Sequence, residues 1–202
     1  MSGDTPMNTA TARIKLTYDD LLLFPEDGKR HELIDGEHYV SPSPNTAHQQ
    51  IAGNLHWLLR SYLENQPRGQ LFFAPFDIVF TQFDVVEPDL LYMSHERASE
   101  ILTDANVQGC PELVVEIGSK STRARDESIK LRLYERAGVS EYWVVDPRHE
   151  SIRIYARAGS AFGARVELSR RAGGVLRTPL MPGLSVSLDG VFRGVTASRR
   201  RT

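Results

Sequence analysis

The chain has 202 residues, 41% hydrophobic and 25% charged, which excludes disorder for its bulk. No apolar run approaches the roughly 20 residues of a membrane helix, and the polar start, Met1 to Thr11, lacks the basic-then-apolar layout of a signal peptide. The single cysteine, Cys110, excludes an internal disulfide and a cysteine-based zinc cluster, and a formal charge of -2 argues against a protein that coats nucleic acid non-specifically.

A cytoplasmic, reducing setting follows from the cysteine usage. The expected organisation is a flexible leader over 1–12, a single domain over 13–196 and a basic tail over 197–202. Along the domain, Thr17 caps a short helix carrying Leu21, Leu22 and Leu23, which Pro25 and Gly28 end. Asp35-Gly36 then stands between two strand-like runs in Glu32 to Val40, a strong hairpin signal. Ile51, Leu55, Leu58, Leu59, Tyr62 and Leu63 recur at helical spacing, so His48 to Glu64 reads as an amphipathic helix.

Three strand-like runs follow, Leu71 to Ala74, Phe76 to Thr81 and Pro88 to Met93, then a helical stretch from Glu96 to Leu102. Glu112 to Ile117 is a β-branched run of the kind covered on both faces. Arg123 to Ala137 reads as a helix with Ile129, Leu133 and Ala137 on one stripe, closed by Gly138. Glu141 to Val145 and Ser151 to Tyr155 are strands around a turn at Asp146-Pro147, and short strands joined by Gly and Pro complete the chain. Helix, strands, crossover helix and a further strand make an α/β fold with a mixed β-sheet flanked by helices.

A charge inside an apolar strand needs compensation. Asp89 precedes Leu90-Leu91-Tyr92, and Glu116 interrupts Leu113-Val114-Val115 and Ile117. If their strands are neighbours, both carboxylates converge on one hard cation such as Mg²⁺; taken singly, Asp89 reads better as a turn or strand-edge aspartate, and Glu116 equally well as a strand-end acid reaching solvent or an arginine. Lys120 and Lys130 compete as the accompanying cation, and by spacing alone Lys130 reads as a surface partner of Asp126. Glu32 reads alone as an ordinary strand residue, and His48 as a helix-entry cap or a phosphate contact. No His-x-x-x-His pair, glycine-rich nucleotide loop or Gly-x-Ser-x-Gly elbow occurs. An acid/base pair of a glycosidase is the weakest alternative, because only Trp57 and Trp143 are present and both lie in apolar patterns.

His31-Glu32-Leu33-Ile34-Asp35-Gly36-Glu37, Ser41-Pro42-Ser43-Pro44 with His48, and Pro88-Asp89-Leu90-Leu91 resemble the Uma-two family of restriction-endonuclease-like proteins. The likeness continues through Val114-Val115-Glu116-Ile117, Ser121-Thr122-Arg123, Asp126, Lys130-Leu131, Tyr134, Ala137-Gly138-Val139 and Glu141 to Pro147, and closes with Leu180-Met181-Pro182-Gly183-Leu184. The family is similar to the PD-(D/E)XK nucleases. The resemblance therefore implies a restriction endonuclease-like (PD-(D/E)XK) core, here with extra C-terminal strands.

Carried over residue by residue, the resemblance implies Asp89 and Glu116, with the Ile117 backbone carbonyl, as ligands of Mg²⁺ (Mn²⁺ substituting). Glu32 matches the acid of the first element, and Lys130 matches a lysine moved onto the following helix. Gly118-Ser119-Lys120-Ser121 departs from the family's Leu-Ser-Pro-Ser-like loop, so Lys120 stays as the rival lysine. The implied activity is endonucleolytic hydrolysis of DNA phosphodiester bonds by a homodimer, with His48, Arg123 and Arg125 contacting nucleic acid. The alternative on the same fold is a catalytically silent nucleic-acid-binding or assembly module.

Overall fold

The computed structural model describes residues 14–118 and 126–195. Lys120, Arg123, Arg125, the leader over 1–12 and the tail over 197–202 lie outside them. Helix α1 (Tyr18–Leu21) starts from Thr17, whose side chain and that of Asp20 form a reciprocal capping box. It stops after one turn, so Leu22 and Leu23 lie beyond it and are exposed. Strands β1 (Arg30–Ile34) and β2 (Glu37–Ser41) pair antiparallel across Asp35-Gly36. Both turn residues have positive φ, 54° and 73°, as a two-residue hairpin turn requires.

Helix α2 (Thr46–Asn65) is capped by the Asn45 side chain, which accepts from the His48 amide at 3.0 Å. His48 is therefore not the cap. Strands β3 (Gly69–Phe73), β4 (Ile78–Thr81), β5 (Asp84–Val86) and β6 (Leu90–Ser94) follow, and helix α3 is His95–Ile101. After β7 (Val107–Gln108) and β8 (Leu113–Ile117), a π-helical turn, Asp126–Lys130, runs into α4 (Leu131–Ala137), which Gly138 closes at φ 97°. Strands β9 (Glu141–Asp146), β10 (Ser151–Ala158), β11 (Ala161–Phe162), β12 (Val166–Ser169), β13 (Val175–Leu176) and β14 (Val186–Ser187) complete the sheets. The C-terminal region also holds a short helix, α5 (Leu188–Val191), where only strands were expected.

The strands form two main mixed sheets. The first has the order β2-β1-β5-β4-β7; the second runs β11-β10-β9-β8-β6-β3, with β12 also on β10. Strand β8 is central: it pairs antiparallel with β6 and parallel with β9, and all five of its residues are buried. Its odd-numbered residues, Leu113, Val115 and Ile117, pack in one core with Ile51, Leu55 and Leu59 of α2 and with the C-terminal Leu184 to Phe192. Its other face packs Val114 with Leu133 and Tyr134 of α4 and with Ile34, Ile78 and Val86 of the first sheet. The alternation of a strand thus sends Glu116 to the same face as Val114, toward the first sheet and α4.

Candidate active site

The chain passes from the first sheet to the second through Glu87-Pro88-Asp89, between β5 and β6. Leu90 pairs with Val115, so Asp89 and Glu116 are neighbours across adjacent strands. The proximity on which their joint reading depends is therefore present. Asp89 Oδ2 accepts from the Ile117 amide at 2.7 Å and lies 3.0 Å from His48 Nε2, while Oδ1 accepts from Arg30 Nη1 at 2.6 Å. Burial alone pushes the Asp89 carboxyl up, but His48 and Arg30 together outweigh it and hold it below the usual carboxylate range.

Lys130 does not lie on the surface. It is 2% exposed, and its Nζ donates at 2.7 Å both to Glu32 Oε1 and to Glu116 Oε1. The reading from spacing fails because Lys130 ends a π-helical turn, whose wider winding changes the face a residue presents. Glu32, 1% exposed, also accepts from the Glu87 amide at 3.1 Å. Far from an ordinary strand residue, it couples the hairpin to the Glu87-Pro88-Asp89 passage and to the π-helical turn that leads into α4. Tyr134, one turn beyond Lys130, donates its hydroxyl to Glu116 Oε1 at 2.7 Å.

Two further acids surround the cluster. Burial pushes Glu87 up to about 7, against the pull of Arg30, whose Nε lies 2.8 Å from Glu87 Oε1 as a charge contact without hydrogen-bond alignment. Burial, and then the Glu32 charge, also raise Asp77. Arg30 itself stays charged, because Asp89, Glu87 and Glu116 outweigh its desolvation. Carboxyls of unequal acidity side by side are what acid/base and metal chemistry use.

The structure thus brings together Glu32, Asp89, Glu116, Ile117, Lys130 and His48. Arg30 and Tyr134 complete the cluster and carry no role in the sequence reading. Two signals point to them: Arg30 shares a strand face with Glu32 at a spacing of two, and Tyr134 lies four residues after Lys130 on a helix. Trp57, expected in an apolar pattern, is instead exposed on α2.

Among the described residues, no three His, Cys, Asp or Glu side chains converge as a metal cage. A Mg²⁺ site needs none, since that ion keeps several waters and binds through one or two carboxylates plus phosphate oxygens. Asp89, Glu116 and the Ile117 carbonyl are all hard oxygen donors. Among the described residues Asp89 has three hydrogen-bonding partners, and an ionised carboxylate offers about four acceptor sites. The donor set fits such a cation.

The family model described as "Uma2: Putative restriction endonuclease" matches residues 17–189. Among solved structures, one from Anabaena variabilis ATCC 29413, titled as "a putative nuclease belonging to DUF820", aligns with a TM-score of 0.74. It is 18% identical, and the alignment covers 88% of this chain and 97% of that one. No curated protein matches the sequence. Among the described residues, no helix is long and apolar enough to cross a membrane.

Proposed function

The chain belongs to the Uma2 family, and from that membership we propose that it is a metal-dependent endonuclease acting on phosphodiester bonds in DNA. The observation that carries this reading is Lys130, a buried ammonium held 2.7 Å from both Glu32 and Glu116 in a site that also contains Asp89. Buried ion clusters are a poor source of net stability, because desolvation cancels most of the attraction. A cluster of three carboxylates, one lysine and one arginine is better explained by chemistry.

In this reading Asp89, Glu116 and the Ile117 carbonyl would hold Mg²⁺, or Mn²⁺ in its place. When bound, that ion would supply Lewis acidity toward a phosphoryl oxygen and make the attacking water more acidic. Arg30 and His48 keep Asp89 ionised for that task. Lys130 aligns Glu116 and offsets negative charge developing on the phosphate, while Glu32 orients the attacking water through one carboxylate oxygen. Lys120 remains the rival for the lysine role, and Arg123 and Arg125 grip the substrate backbone. A two-fold homodimer would present two sites for cutting both strands, in a cytoplasmic setting.

The test is cleavage of plasmid, linear and single-stranded DNA with Mg²⁺, Mn²⁺ or EDTA. Wild type is compared with Asp89→Ala, Glu116→Ala, Lys120→Ala and Lys130→Ala. Metal-dependent cutting that disappears with Asp89 and Glu116 is expected, and the lysine whose loss abolishes it holds the catalytic role. Cutting by Asp89→Ala at the wild-type rate would sink the proposal. One observation favours the silent-module alternative: each carboxylate of the core cluster already faces a protein cation, Asp89 with Arg30 and Glu32 and Glu116 with Lys130. Intact DNA after long incubation with Mn²⁺, together with gel retardation, would establish that alternative.

A further inference from the structure

Helix α2 leaves the carboxylate site at His48 and carries His56 two turns further on, about 12 Å along its axis. Strand β3 ends at the same rim. Phe73 pairs with Leu90, and the Ala74 amide donates to the Asp89 carbonyl at 3.2 Å. The two elements meet through their rings, since His56 and Phe73 pack edge to face at 4.7 Å and 66°.

Both sides of this contact leave aromatic surface open. Phe73 is 58% exposed and Trp57, the residue after His56, is 63% exposed. A Cβ on Gly53, one turn before Trp57, would meet nothing within 4 Å, so the helix surface beside the indole is bare. Arg60 follows His56 by one turn with a largely exposed side chain, its Nε 3.6 Å from the similarly exposed Glu64. Burial first, and then the Arg60 charge, lower the His56 pKa below the usual histidine value and so favour the neutral ring.

Large exposed aromatics beside a cation are an unusual way to finish a surface that only meets water. They match what an unpaired nucleic-acid strand offers: flat base faces alternating with phosphates. In a duplex those faces are already stacked on one another. We infer that Phe73, His56 and Trp57 form a stacking platform for unpaired bases of a strand whose backbone crosses the Asp89 site, with Arg60 meeting a flanking phosphate. The inference rests on the nuclease reading and narrows its substrate to nucleic acid with unpaired bases next to the scissile bond.

The molecule carries its own reporter. The chain has two tryptophans, and Trp143 is fully buried with its Nε1 donating to Glu141 Oε2 at 2.8 Å. A ligand that stacks at the surface therefore changes the emission of Trp57 alone. The probes are a single-stranded oligonucleotide, its abasic counterpart of equal charge and a duplex of equal length, all titrated in EDTA so that no turnover intervenes. Quenching by the single strand, and not by the abasic strand or the duplex, is expected. Trp57→Ala and Phe73→Ala each weaken single-strand binding about tenfold, the typical effect of removing one stacked base, whereas Trp57→Phe removes the signal and keeps the affinity.

Equal affinity for the abasic and natural strands, or unchanged affinity in the alanine variants, overturns the inference. So does a wild-type dimer in sedimentation that Trp57→Ala dissociates while strand binding stays intact, which would assign the face to a second copy. The two readings separate cleanly. Metal-dependent cleavage that ignores Trp57 and Phe73 removes the platform and leaves the nuclease, whereas base-dependent quenching without cleavage in Mg²⁺ or Mn²⁺ does the reverse.

Discussion

Tyr134 and Glu116 are joined by a 2.7 Å hydrogen bond from the phenol to Oε1, the same oxygen that Lys130 holds at 2.7 Å. Burial, and then the Glu116 charge, push the phenol well above the usual tyrosine value, so it stays a donor at every pH near neutrality. Tyr134→Phe keeps the ring packed 4.7 Å from Tyr142 while removing that donor. The expected loss is about 2 kcal/mol, typical of a hydrogen bond to a buried charge. Urea denaturation at pH 7 checks it, and an unchanged midpoint would show that the phenol does not hold Glu116.

Lys130 holds two buried carboxylates at once. Lys130→Met leaves Glu32 and Glu116 facing each other without their cation, at a cost of about 3–5 kcal/mol. Combining it with Glu32→Gln and Glu116→Gln removes the stranded charges and restores most of that loss. Equilibrium unfolding of the single and triple variants measures the difference. A single variant as stable as wild type would contradict the burial of the cluster.

Gly69 pairs with Ser94 at the start of β3, and a Cβ there would lie 2.2 Å from the Met93 carbonyl oxygen and 2.7 Å from the Tyr92 ring. Neither neighbour is the free end of a flexible chain. Gly69→Ala is expected to destabilise the protein by about 3 kcal/mol, in the upper range for overpacking. Thermal melting tests it directly. Gly53→Ala, on the open surface of α2, is the matched control and should stabilise slightly, as alanine favours a helix.

Burial pushes the Cys110 thiol up to about 11, against weaker pulls from Arg97 and Arg157. At pH 8 the thiolate, the reactive form, is then about a hundredfold scarcer than for a free cysteine. Alkylation by iodoacetamide should be slow in the native protein and fast in urea. The sign for stability follows: a folded pKa above the unfolded value favours the native state at lower pH, and that contribution is lost as pH rises from the ordinary thiol range through 11. Cys110→Ala should make this slope shallower, leaving the part that the raised Tyr134 phenol contributes at still higher pH. Rapid native alkylation at pH 8 would contradict the raised thiol.

The parts of the fold that were legible in the sequence rest on local chemistry. The Thr17 cap, the Asp35-Gly36 turn and the Gly138 terminator each act within a few residues, and each lies where expected. The apolar run of β8 likewise announced a strand covered on both faces. Strand β5 was missed because three residues are too few to show a period.

The site was legible in composition and not in its wiring. Asp89 and Glu116 stand out as charges in apolar runs. That Glu32 meets Lys130, 98 residues away, is fixed by how two sheets and α4 pack together. The orientation of Lys130 depends on a π-helical turn, for which helical spacing gives the wrong face. Trp57 misled for the opposite reason: an indole among apolar neighbours suggests core, yet residue 57 lies outside the stripe formed by Ile51, Leu55, Leu59 and Leu63.

The passage through Glu87-Pro88-Asp89 has a thermodynamic corollary. Glu32 belongs to the first sheet and Glu116 to the second, and Lys130 spans them from a third element. Whatever engages these carboxylates acts as a rivet between separately woven layers. Its binding free energy therefore adds to the cohesion of the whole fold, since ligands that bind only the native state shift unfolding by mass action. The melting temperature becomes a direct readout of occupancy at the junction, measurable before any substrate is known.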